Sequence, residues 1–138
     1  MTIFVLLILF QIKHFIADYP LQTPYMLGKF KDKGWVLPLL AHVGVHAGFT
    51  FLIVVPFVGV FAALALAALD AVIHFVMDRV KASPKMLGRY QALTKSEFPT
   101  ATLEQKESNT KFWWALGLDQ GVHHLTHYLI IFLVVVMQ

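Results

Sequence analysis

Carboxylates and imidazoles recur every four residues inside the most apolar stretches of this chain. Asp70, His74 and Asp78 do so in one stretch, and Asp119, His123 and His127 in another. His42 and His46 form a third pair, His14 and Asp18 a fourth. An ionisable side chain within hydrocarbon costs at least about 2.5 kcal/mol unless it is paired, ligated or hydrated. A chain that places four of its five aspartates this way needs a reason for them.

Composition makes hydrocarbon the expected surroundings. Of 138 residues, 58% are hydrophobic and only 14% charged, far from the balance of an ordinary soluble domain. The length suits one domain, 1–138. There is no cysteine, which excludes disulfides, thiolate zinc sites and iron–sulfur clusters. Any metal must be held by His, Asp, Glu or backbone oxygen. The net charge of +3 is modest, and no basic stretch interleaved with aromatics points to nucleic acid.

Four spans are expected, at about 2–18, 36–57, 60–81 and 112–137. The first has the length of a signal peptide but lacks a positive leading region and a small-residue cleavage site, so it reads as retained. Tyr19-Pro20 ends it. Residues 21–35 read as a polar loop with Lys29, Lys31 and Lys33. Pro38 is tolerated in the first turn of the second span, and Pro56 and Gly59 mark a very short turn. Residues 82–111 are the long polar loop. Ser83-Pro84 starts a short helix running to about Leu93, and Thr102-Leu103-Glu104-Gln105 matches a weak capping box. The fold class is therefore all-α: an integral membrane four-helix bundle with a short amphipathic, interfacial segment between the third and fourth spans.

Basic residues set the expected orientation. The first loop has three lysines, and the third has Arg79, Lys81, Lys85, Arg89, Lys95, Lys106 and Lys111, whereas the turn near Gly59 and the two chain ends have none. That places both loops in the cytoplasm and both termini outside it. This argument uses only Lys and Arg, yet it puts His14, Asp18, His42, His46, Asp70, His74, Asp78, Asp119, His123 and His127 in the same half of the bilayer. Helical phase agrees, because residues four apart differ by roughly 40° and share a face. Gln120 and His124 fall off the face of the fourth span that carries Asp119, His123, Thr126 and His127. Lys13 points away from the first-span stripe and reads as a snorkelling anchor.

A lone buried histidine is more often a hydrogen-bonded structural group than a ligand, so the convergence of the whole set carries the inference. Helical bundles build metal centres from inward carboxylates and histidines on facing helices. A mixed His/Asp set suits zinc, manganese or iron. The expected ligands are His14, His42, His46, Asp70, His74, Asp78, Asp119, His123 and His127, enough for one or two ions. Asp18 and Asp78 are the carboxylates expected to move protons. Arg79, Lys81 and Lys85 are the cations expected to hold a substrate phosphate.

The segment His14-Phe15-Ile16-Ala17-Asp18-Tyr19-Pro20-Leu21-Gln22, with Ile73-His74-Phe75, Asp78 and Lys81, and Leu118-Asp119-Gln120 with His123, resembles a family of small inner-membrane proteins of bacteria and phages. That family is a domain of unknown function, so the resemblance implies a membrane protein without an activity. More loosely, the His/Asp pattern resembles membrane-bound metal-dependent hydrolases.

The expected function is a metal-dependent hydrolase acting on a phosphoester or lipid headgroup at the cytoplasmic leaflet. Its partners would be membrane lipid and a lipid-phosphate substrate, without nucleic acid, and a homo-oligomer is compatible with this. The alternative is a metal-ion or proton transporter using the same intramembrane residues. Further alternatives are a haem-binding cytochrome and a structural partner protein.

Overall fold

The computed structural model describes residues 2–83, 85–90, 97, 99–107 and 110–138. Every regular element among them is helical: α1 (Thr2–Asp18), α2 (Val36–Ala82), α3 (Leu103–Glu107) and α4 (Thr110–Met137), with 3-10 turns at Met26–Phe30 and Leu87–Arg89. α2 is two helices in one run. It breaks at Gly59, whose φ of 76° and ψ of 172° lie where a side chain is strained. The turn expected around Pro56 and Gly59 is thus a single-residue kink, and Pro56 stays inside the helix. The arms 36–58 and 60–82 run antiparallel. With α1 and α4 they make four rods in an up-down arrangement.

Four-residue steps on the four rods stack into layers. His14, His46, His74 and His123 supply one imidazole each to a ring, with centroids 3.8 Å apart for His46–His74 and 3.9 Å for His74–His123. One four-residue step further on three rods lie Thr50, Asp70 and His127, and Lys13, adjacent to His14 on the first, joins them through bonds to Asp70 and His127. Beyond them Phe10, Val54, Leu66 and Ile130, then Leu6, Ala63 and Val134, form an apolar core. In the other direction the histidine ring is followed by Asp18, His42, Asp78 and Asp119.

The surface inverts this pattern. Phe61 is 89% exposed, Trp114 75%, Phe4 71% and Phe132 62%, while Lys13, Asp70, His74 and Asp119 are each 1% exposed. Two stretches, one beginning at Val36 and the other Lys111–Met137, are long and apolar enough to cross a membrane.

The first loop is more ordered than a polar loop. Its 3-10 turn packs against α2, and a Cβ at Gly28 would lie 2.9 Å from Pro38 Cγ, so glycine is what permits the approach. The packing buries Lys29. Thr102 and Gln105 form the reciprocal capping box that opens α3, at 2.9 and 3.1 Å. The short helix expected from Pro84 to Leu93 lies partly outside the described residues; within them only the Leu87–Arg89 turn is helical.

Candidate metal centre

Asp18, Asp78 and Asp119 each divide their two oxygens between partners. Asp18 Oδ1 lies 3.1 Å from His46 Nε2 and 3.4 Å from His42 Nε2, and its Oδ2 lies 3.1 Å from His14 Nε2. Asp78 Oδ1 lies 3.4 Å from His123 Nε2 and 3.8 Å from His74 Nε2. Its Oδ2 accepts a bond from Lys29 Nζ at 2.6 Å and lies 3.3 Å from His42 Nε2. Asp119 Oδ2 accepts from Lys81 at 2.6 Å and from Gln120 at 3.0 Å, leaving Oδ1 3.3 Å from His123.

Two sets have one ligand atom per residue within 4.8 Å of every other: Asp18, His42, His46 and His74, and His74, Asp78 and His123. These buried groups are close enough to hold a metal ion. On a tetrahedral ion with bonds of about 2.0–2.2 Å, neighbouring ligand atoms sit about 3.2–3.6 Å apart. Within the sets, the His42–Asp18 and His123–Asp78 separations, both 3.4 Å, match that edge, while His46–Asp18 at 3.1 Å and His74–Asp78 at 3.8 Å fall just outside it.

Hydrogen bonding alone leaves the cluster unsatisfied. Among the described residues, His42 and His74 have both ring nitrogens buried without a hydrogen-bond partner, and Asp119 Oδ1 likewise has none. A buried polar atom left unpaired costs about 1–3 kcal/mol, so several in one place call for a ligand. His42 Nε2 is close to two carboxylates yet misaligned for N–H donation, as an atom aimed at a shared cation would be.

The remaining expected ligands surround these two sets. His14 donates from Nε2 to Gln120 Oε1 at 3.1 Å and faces Asp18, so it orients the carboxylate. Asp119 Oδ1 faces His123 Nε2 at 3.3 Å. Asp70 and His127 lie in the next layer: Lys13 Nζ donates to Asp70 at 2.6 Å and to His127 Nε2 at 3.2 Å, and Thr50 donates to Asp70 at 2.6 Å. Lys13 is therefore no snorkelling anchor. It continues the buried stripe of Leu6, Phe10 and Ala17 on α1, and that spacing was its signal in the sequence.

Of the three cations expected to hold phosphate, only Lys81 lines the crevice that opens on this cluster. The crevice, about 150 Å³, is also walled by Asp18, Lys29, Asp78 and Gln120. Arg79 instead stacks on Trp35 at 3.9 Å, and Lys85 is exposed outside the crevice walls. Lys29, which carried no distinguishing motif in sequence, takes the second cationic place.

Comparison with curated proteins and with solved structures gives no match. No relative's name carries the looser likeness to membrane-bound hydrolases. The family model described as a protein of unknown function (DUF3307) matches residues 5–138, which include every residue of the cluster. The chain belongs to the DUF3307 family, and the His/Asp cluster spans all four rods of its bundle.

Proposed function

We propose that this is an integral membrane protein with a divalent transition metal centre, zinc, manganese or iron, that hydrolyses a phosphoester or lipid headgroup bond at the cytoplasmic leaflet. The membrane reading rests on the inverted surface: large apolar side chains outside, ionisable ones inside. α1, at 17 residues, is about 25 Å long and slightly short of the hydrocarbon thickness, so it would tilt little or thin the bilayer locally. Lys31 and Lys33 remain exposed in the first loop after Lys29 is buried, which keeps the positive-inside bias. Reporter fusions at Lys33 and at Gln138 should then lie on opposite faces of the membrane, with Lys33 cytoplasmic. Signals from one common face would refute that orientation.

The observation that carries the hydrolase reading is the one-sided access. The crevice reaches Asp18 and Asp78, and the opposite end is closed by Leu6, Phe10, Val54, Ile130 and Val134, each 0% exposed. A pore would need polar groups through that end. His74 is common to both ligand sets; assigned to Asp78 and His123, it leaves three protein ligands in each. Three ligands leave an open position, the mark of a catalytic site. A bound ion would lower the pKa of water and polarise a phosphoryl oxygen. Asp18 is free to take the proton when His74, Asp78 and His123 hold a single ion, and Asp78 is free when Asp18, His42 and His46 hold it. Lys29 and Lys81 face the anionic product.

The test is a screen of phospholipid and isoprenoid-phosphate substrates with metal-loaded protein in nanodiscs. Product release that stops on chelation and returns with metal is expected. Metal-dependent ion flux in liposomes without product would contradict hydrolysis and favour the transporter.

A further inference from the structure

A second cavity adjoins the crevice. It is an apolar groove of about 430 Å³ walled by Leu87, Tyr90, Phe112 and Ala115, together with Phe30, Lys81 and Leu116. The last three also wall the polar crevice. The two cavities thus meet at one ammonium group, apolar on one side and carboxylate-lined on the other. Lys81 Nζ spends one donor on Asp119, and its side chain is 31% exposed. An ammonium has three donors, so two remain for an anion at the junction. Lys29, on the far wall, is held against Asp78.

We infer that the joined cavities bind a single-chain anionic amphiphile, with its phosphate at Lys81 in the crevice and its hydrocarbon chain in the groove between Phe112 and Leu87. This deepens the proposed hydrolase reading and rests on it for the reaction, though the binding itself has a separate readout. Charge favours an anionic head only with metal bound: Lys29 and Lys81 offset two of the three carboxylates Asp18, Asp78 and Asp119, and a divalent cation held at a His/Asp set would tip the crevice positive. Continuity fixes the tail, because a chain leaving a phosphate at Lys81 has the apolar groove directly beside it. The arrangement also aims the ester bond at the head end, beside Asp18 and Asp78, rather than at the chain.

The probe is dodecyl phosphate with a terminal diazirine, photo-crosslinked to the full chain in phosphatidylcholine nanodiscs. Crosslinks should map to the Leu87 and Phe112–Leu116 segments, and unlabelled dodecyl phosphate should compete far better than inorganic phosphate or dodecyl maltoside. Lys81→Gln should weaken retention about tenfold, the worth of one charge-assisted hydrogen bond, and Lys81→Arg should restore it. Leu116→Trp, which fills the junction, should block crosslinking while metal content is unchanged. Equal competition by dodecyl maltoside would overturn the head site, and equal competition by inorganic phosphate would overturn the groove. If metal is bound and the probe shows no such preference, this inference alone fails. Retention should fall on chelation; probe held equally well by metal-free protein would overturn the charge argument for the head, whereas probe held by metal-loaded protein that releases no product would overturn the hydrolase reading alone.

Discussion

The two ends of the bundle use the same four rods in opposite ways. Near Gly59, Leu6, Phe10, Val54, Ala63, Leu66 and Ile130 pack with nothing left to pair. Near the loops, every rod turns a carboxylate or imidazole inward, and several of those atoms have no partner. The apolar end has no polar group to satisfy; the polar end holds atoms that no hydrogen bond among the described residues satisfies. Lys13, Thr50, Asp70 and His127 form the boundary, where one ammonium neutralises one carboxylate. The lesson is that helix packing and ligand chemistry are divided by depth rather than by element, so each can be perturbed alone.

The largest effect is expected at the boundary. Lys13→Ala strands the Asp70 carboxylate and should cost about 4 kcal/mol of stability, as for breaking a buried pair from one side. Adding Asp70→Asn should recover most of it, measured by unfolding in detergent. Failure of the double variant to recover would mean that Lys13 acts through something other than Asp70.

In the apolar end, Phe10→Ala should cost about 3 kcal/mol through lost packing, with metal content retained. In a bilayer that loss is van der Waals contact rather than hydrophobic transfer, because lipid chains are as apolar as the core. Loss of metal in this variant would show that the two ends are coupled. Gly59→Ala forces a side chain into a backbone conformation that glycine adopts freely, and should cost about 2 kcal/mol, again without touching the metal. The smallest effect belongs to Arg79→Ala, which removes a stacking contact with Trp35 and a long hydrogen bond to Lys29 O, and should cost about 0.5–1 kcal/mol. A larger loss of stability there would place Arg79 in the polar end after all.

The sequence made the polar end legible because its signal is periodic. A four-residue repeat fixes both face and depth, so the ring of His14, His46, His74 and His123 could be anticipated from rods alone. Asp70 shared that periodicity and was read as a leading ligand, but its depth pairs it with Lys13 on another rod. The pairing is hidden because Lys13 lies off the stripe of His14 and Asp18 and on that of Leu6, Phe10 and Ala17. Lys29 was beyond reach for a different reason. Its burial depends on a 3-10 turn fitting against Pro38 through Gly28, a tertiary approach with no local repeat. Arg79 and Lys85 had the right charge and chain position, but Arg79 turns to Trp35 and Lys85 to solvent.

The central claim is that the unsatisfied imidazoles and carboxylates hold metal, and elemental analysis tests it most directly. Wild-type protein and His74→Ala should be purified side by side from metal-replete cells and their zinc, manganese and iron measured per chain. His74 is the residue common to both ligand sets. The account predicts stoichiometric metal in the wild type and a sharp loss in His74→Ala. No metal in a folded wild type, or equal metal in both proteins, would contradict it.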